Sequence, residues 1–186
     1  MLNRLFEKRN VSYQSVWGSG GGWGDQTLAG TSVDQSTALR LGAVYACTRL
    51  LSDTLSTLPV DTFTRADDGN RVAYDKPVWV ASPDGRTFAD HIAQVVVSML
   101  LDGNAFVRVV RKPNGEVLTL TCLPPQMVHP RQGATGVVFD VDMPTGKTTV
   151  AAADMLHITE LKRAGELRGV SRISEAKQTL GLATAL

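Results

Sequence analysis

From Leu41 the apolar positions keep a helical rhythm. Leu41, Val44, Tyr45, Thr48, Leu51, Leu55 and Leu58 recur every third or fourth residue and predict one long helix from Ser36 to Leu58. Asp34 or Ser36 caps its start and Pro59 ends it. Gly42 lies inside that helix at a cost of up to ~1 kcal/mol relative to alanine, which close helix packing would explain. The rhythm then shortens to two. "VDTFTR", "ADDGN" and "RVAY" read as strand, turn and strand, a β-hairpin. Residues 75–86 form a loop rich in Pro and Gly. A second helix is expected from Phe88 to Leu101, with Thr87 as N-cap and Asp90 approximating a capping box. Phe88, Ile92, Val95, Val96, Met99 and Leu100 form its buried stripe.

That helix stops at once in "LLDGNAFVRVVR". Gly103 is read as a left-handed terminator, Asn104 as a residue that tolerates the turn, and "AFVRVVR" as a strand. "KPNG" is a turn in which Pro113 sets φ and Gly115 takes a positive φ. Arg111 and Glu116 are expected to pair across it. "EVLTLTCL" returns with Leu118, Leu120 and Cys122 on one face. Short strands follow near 127–131, 136–142 and 147–150, then "MLHIT". A last helix runs from Arg172 to Leu186 behind a Ser171 cap. Ahead of all this, residues 1–32 carry "GSGGGWGDQTLAG", too glycine-rich for a helix or central strand, and read as a flexible arm. Its Tyr13, Trp17 and Trp23 are unusual in a pure spacer and suit docking on a neighbouring surface. Leu2, Leu5 and Phe6 form either a short amphipathic turn or a fraying end.

Composition narrows the function classes. With 186 residues, 43% hydrophobic and 20% charged, the chain has enough apolar residues for one core-bearing domain plus tails. A net charge of +1 with scattered Lys and Arg disfavours tight nucleic-acid binding and leaves room for transient DNA contact. Cys47 and Cys122 fall on apparently apolar faces and are expected as free core thiols in a reducing compartment. Arg4, Glu7, Lys8 and Arg9 interrupt any secretory apolar region, and no apolar run reaches the ~18 residues of a membrane span. The chain reads as soluble and intracellular when made, with no membrane partner.

Each candidate for chemistry has a duller and better account. "MPTGKTTV" lacks the first glycine of a phosphate loop, since Val141 stands there, and it leads into a strand, so it reads as a hairpin turn. "GSGGGWG" misses the dinucleotide-binding spacing. "GVSRI" has Ile173 where a nucleophile elbow needs glycine, and Asp154 and His157 lie upstream of Ser171, against hydrolase order. His91, His129 and His157 are far apart and lack metal-ligand spacing, and Asp67-Asp68 sits in a turn. No catalytic, cofactor-binding or metal-binding residue is assigned, and the chain is not expected to be an enzyme.

Five segments in register give a resemblance. "ALRLGAVYACTRLLSDTLSTLPVDTF", the hairpin after it, "LLDGNAFVRVVRKPNGEVLTLTCLPPQMV", "DMLHIT" and "GELRGVSRISEA" occur in the order seen in portal proteins of tailed bacteriophages, in the branch common among long-tailed phages. The likeness covers roughly residues 33–186, and "YQSVWGSG" is similar to the family's variable N-terminal arm. Arg172 stands where the family often has proline. The resemblance implies an α+β wing-type region with helices packed on antiparallel hairpins and a mixed sheet, in two parts: arm 1–32 and wing-like region 33–186. Family members usually continue well beyond this length, so the chain is expected to be an N-terminal portion lacking much of the stem, tunnel loop and crown. The resemblance further implies a structural homo-oligomer, typically a dodecameric ring, at one capsid vertex of the virion, assembled in the host cytoplasm. Double-stranded DNA passes through its channel without sequence specificity. The implied partners are the terminase large subunit, the head–tail connector or adaptor, and the major capsid or scaffold protein. No cofactor is implied. The rival readings are an intracellular interaction domain of unrelated ancestry and a small P-loop or hydrolase enzyme.

Overall fold

The first helical segment is broken in two. The computed structural model describes residues 27, 29–30, 32–134 and 136–185, and within it α1 spans Gln35–Leu39 and α2 spans Gly42–Ser56. Asp34 caps α1, accepting from the Thr37 amide at 2.7 Å while its own amide donates to Thr37 Oγ1 at 2.7 Å. Leu41 then adopts extended backbone (ψ 116°), so Gly42 is the first residue of α2 and not part of a helix interior. A Cβ on Gly42 would meet nothing within 4 Å, and close helix packing is not its reason. Except for residues 27, 29, 30 and 32, the expected arm, with Leu2, Leu5, Phe6, Tyr13, Trp17 and Trp23, lies outside the described residues.

The hairpin forms from β1 (Thr62–Arg65) and β2 (Arg71–Tyr74), paired Thr62↔Tyr74 through Arg65↔Arg71, and only Thr62 of its strands is even half-buried. Asp68 in its turn accepts from the Asn70 amide at 3.0 Å. The loop expected over 75–86 contains a short helix α3 (Val78–Ala81) and a 3-10 turn (Pro83–Gly85). The next helix, α4 (Phe88–Asp102), starts where expected: Thr87 Oγ1 accepts from the Asp90 amide at 3.1 Å. Its buried residues are His91, Val95, Leu101 and Asp102, so of the expected stripe only Val95 is fully buried.

Gly103 (φ 77°, ψ 2°) ends α4, and the strands β3 (Asn104–Arg111), β4 (Val117–Leu123), β5 (Val128–Gln132), β6 (Val137–Met143), β7 (Gly146–Ala151) and β8 (Met155–Thr159) follow. They make two antiparallel sheets, β4-β3-β8 and β5-β6-β7. Alternation along β3 explains the layering. Ala105 and Val107 face α4 beside Val95, whereas Phe106 faces the second sheet and packs with Val128, Phe139, Val141 and Val150. The third core joins helices: Val33, Ala38, Leu101 and Ile173, with Val44, Val97 and Leu180 against them. The last helical segment is also two helices, α5 (Arg172–Glu175) and α6 (Lys177–Ala185).

Three smaller expectations change. Arg111 pairs with Asp154 (3.0 Å) and not with Glu116, which pairs with Lys112 (3.2 Å). Cys47 is an exposed free thiol and no core residue, because α2 turns that side outward. Cys122 is a half-buried free thiol whose pKa burial raises. Among the described residues no helix is long and apolar enough to cross a membrane.

Candidate functional site

The corner at 102–104 carries a buried polar cluster. Asn104 is 1% and Asp102 3% exposed, although apolar Leu101 and Ala105 flank them. Asn104 Nδ2 donates to Asp102 Oδ1 (2.9 Å), to the Asp102 carbonyl (3.1 Å) and to the Gly169 carbonyl (3.0 Å). Its Oδ1 accepts the Gly169 amide at 2.6 Å. These contacts fix the orientation of the amide, so the 3.0 Å contact from His157 Nε2 to the same Oδ1 requires the Nε2–H tautomer. Burial, then the positive charges of Lys162 and Arg168, lower the His157 pKa to about 4. The imidazole is therefore neutral at pH 7. Register places it opposite Phe106, and the two rings stack at 4.3 Å.

Arg168 ties the cluster together. Its guanidinium donates to Asp102 Oδ1 at 2.6 Å and to the Val128 and Pro125 carbonyls at 2.7 and 3.2 Å, and it lies 5.3 Å from the Phe106 ring centroid. Ser171 Oγ donates to the Leu101 carbonyl at 2.8 Å and accepts the Ser174 amide at 3.3 Å, so it is a helix cap. The backbone closes the same joint, with the Glu160 amide donating to the Gly103 carbonyl at 3.0 Å. Together these contacts clasp the loop between β8 and α5 onto the α4–β3 corner. The Asn104 amide, the Asp102 carboxylate and the Arg168 guanidinium are all engaged by their neighbours, which suits a brace.

The candidates for chemistry are dispersed. His157 joins the clasp, His91 is buried on α4 with a pKa that burial lowers, and His129 contacts Asp142 at 2.9 Å on the outer face of β5-β6-β7. Beside it Asp140, whose pKa the Arg131 hydrogen bond lowers first, accepts from Arg131 and Thr149 at 2.7 Å each. The segment at Gly146 is a hairpin, with Met143 and Gly146 paired. Sequence reasoning missed Asp102 and Arg168 and read Asn104 only as a turn residue. The available signal was two polar residues at a helix end between apolar runs that leave no exposed face.

A second feature is uncovered apolar surface. The side of α2 turned to α4 carries Ser52, 6% exposed, with half-buried Val44, Thr48 and Ser56 above and below it. The neighbouring ridge is exposed: Leu50 67%, Leu51 41%, Leu55 43% and Leu58 54%. Phe63 and Tyr74 on the hairpin are 56% and 59% exposed. The apolar positions that mark this helix in the sequence are thus largely surface, because hydroxyl-bearing side chains with their own helical carbonyl partners take the contact with α4.

Comparison with known proteins gives this arrangement a context. In fold it is similar to the neck of a native gene transfer agent (GTA) particle computed with C12 symmetry (TM-score 0.63, 18% identity, 94% of this chain and 48% of that one). It is also similar in fold to an HK97-family phage portal protein from Corynebacterium diphtheriae (TM-score 0.54, 15% identity, 77% and 44%). These two likenesses concern the fold alone. The family profile described as phage portal protein matches residues 42–186, and the chain belongs to that family. It is 34% identical over 176 residues to the probable portal protein of Streptomyces phage phiC31, covering 87% of this chain and 38% of that protein. It is 24% identical over 165 residues to the portal protein of Enterobacteria phage HK97, covering 86% and 39%. The chain therefore spans well under half the length of these relatives.

Proposed function

We propose that this chain is the wing-like portion of a portal subunit, residues 33–186 behind an arm of residues 1–32, in a ring at the capsid vertex. The observation that carries the reading is the uncovered apolar ridge of α2 and the uncovered hairpin, on a chain of a portal family. A closed ring needs two different surfaces of one subunit to meet, and exposed leucines and aromatics suit such contacts. Near-neutral charge fits the rest of the role. The net charge is +1, and Lys and Arg are scattered along the sequence and not clustered, a weak basis for holding phosphates by counterion release. Double-stranded DNA then moves through the ring without being gripped. On this reading the ring assembles in the host cytoplasm with capsid or scaffold protein, docks the terminase large subunit during packaging and later holds the head–tail connector. A nonsense mutation early in the gene tests it. Heads without DNA and unjoined tails, restored by supplying the protein in trans, are expected; normal filled and tailed particles from the mutant would refute it.

A further inference from the structure

The two larger sheets end on four edge strands, β4, β8, β5 and β7. Three of these edges are protected. The turn Pro83–Gly85 lies along β4, where the Asp84 amide donates to Thr119 Oγ1 at 2.9 Å. On β5, Pro130 has no N–H to give and Arg168 takes the Val128 carbonyl at 2.7 Å. Strand β7 opens on Gly146 and Lys147. Proline and lysine on an edge discourage the addition of another strand. The fourth edge, β8, reads "MLHIT" without proline, glycine, bulge or charge, and its Leu156 is 51% exposed.

The backbone of β8 is set to pair outward. The Glu160 amide donates inward to the Gly103 carbonyl, and direction alternates along an antiparallel strand. Leu156 and Ile158 therefore also face β3, while Met155, His157 and Thr159 turn their N–H and C=O groups away from it. The hairpin has the matching need. Two strands alone are marginal in water, and here Val72 and Tyr74 are exposed. Arg65 and Arg71 stand directly opposite each other, a repulsive pair with no carboxylate partner among the described residues. The Ala66 amide donates to the Asn70 carbonyl, so by the same alternation Arg71 and Ala73 turn their backbone groups away from β1.

We propose that β2 of one copy adds antiparallel to the β8 edge of the next, extending the sheet β4-β3-β8 across the subunit boundary. The inference rests on the ring proposed above, because it needs a neighbouring copy. The register pairs Ala73 with His157, joining outward backbone groups on both strands. Val72 then lies opposite Ile158 and Tyr74 opposite Leu156, apolar on apolar along one face. Arg71 comes opposite Thr159, one residue from the Glu160 carboxylate. Strand β1 fits less well, since it offers only Thr62 and Thr64 in place of Val72 and Tyr74. Hairpin and edge are different surfaces of one subunit, as a ring contact requires.

Disulfide trapping in the full-length protein tests this. With Cys47 and Cys122 changed to serine, Tyr74→Cys and Leu156→Cys are co-expressed on separate chains and oxidised. A covalent dimer is expected from the pair and from neither variant alone, and the double variant should give a ladder of multimers. Rings without any such dimer would overturn the strand addition and leave the ring reading standing. A protein that forms neither rings nor dimers would overturn both. A double variant that closes only within one chain would give the edge to its own hairpin, against the proposal. Leu156→Lys should also raise the concentration needed for assembly by about tenfold or more while leaving the single subunit's thermal unfolding unchanged. Unaltered assembly would count against the proposal.

Discussion

At Gly103 the backbone takes φ 77°, and a Cβ placed there would lie 2.2 Å from the Val170 carbonyl oxygen. Gly115 has nearly the same backbone, φ 86°, with nothing within 4 Å. The two separate conformational strain from packing. Gly115→Ala should lose about 1–2 kcal/mol, the usual cost of a left-handed L-residue. Gly103→Ala must also push the loop off the clasp and break bonds worth about 1 kcal/mol each, so its loss should exceed that of Gly115→Ala by at least about 2 kcal/mol. Urea unfolding of the two variants checks this, and equal losses would mean the clasp is loose. His157 gives the pH dependence. Its folded pKa of about 4 lies below the ordinary 6.5, so the unfolded state binds the proton first. Stability is complete above pH 6.5 and falls as pH drops toward 4, by up to about 3 kcal/mol from this residue. His157→Gln keeps an N–H donor without titrating and should flatten that slope, leaving a remainder from His91, whose pKa burial also lowers. A slope unchanged by His157→Gln would contradict this.

Between elements, the contact of α2 with α4 is set by small side chains and not by leucines. Ser52→Leu should force the two helices apart and cost about 1–3 kcal/mol. Leu55→Ser, on the exposed ridge, should change the stability of a single subunit by less than about 0.5 kcal/mol. Thermal unfolding of the two variants ranks them, and the reverse order would mean that the ridge is core. This is also where sequence reading was least reliable. The strands, the hairpin turns and the Gly103 stop were legible because local alternation and turn chemistry dictate them: Thr87 caps α4, and Gly115 takes its positive φ. The break at Arg40–Leu41 was hidden because the apolar period runs through it unchanged. A helical stripe states which residues are apolar, not which neighbour covers them, so the sequence could not tell that the α2 ridge is exposed. The clasp was illegible for a related reason, since Asn104 meets Gly169, and Asp102 meets Arg168, only after the intervening strands have folded.

At the scale of the molecule the layers follow a single logic. Helix α4 covers one face of β4-β3-β8, the second sheet covers the other, and the clasp fixes α5 and α6 to the end of α4. Among the described residues the ridge of α2 and both faces of the hairpin stay uncovered, the surface that the proposed ring would use. The most direct test is the mass of the full-length protein in solution, by native mass spectrometry or mass photometry across a concentration series. The account predicts one discrete closed ring, near twelve copies, that Leu55→Asp weakens without unfolding the subunit. A protein that stays monomeric at every concentration, with Leu55→Asp indistinguishable from it, would contradict the account.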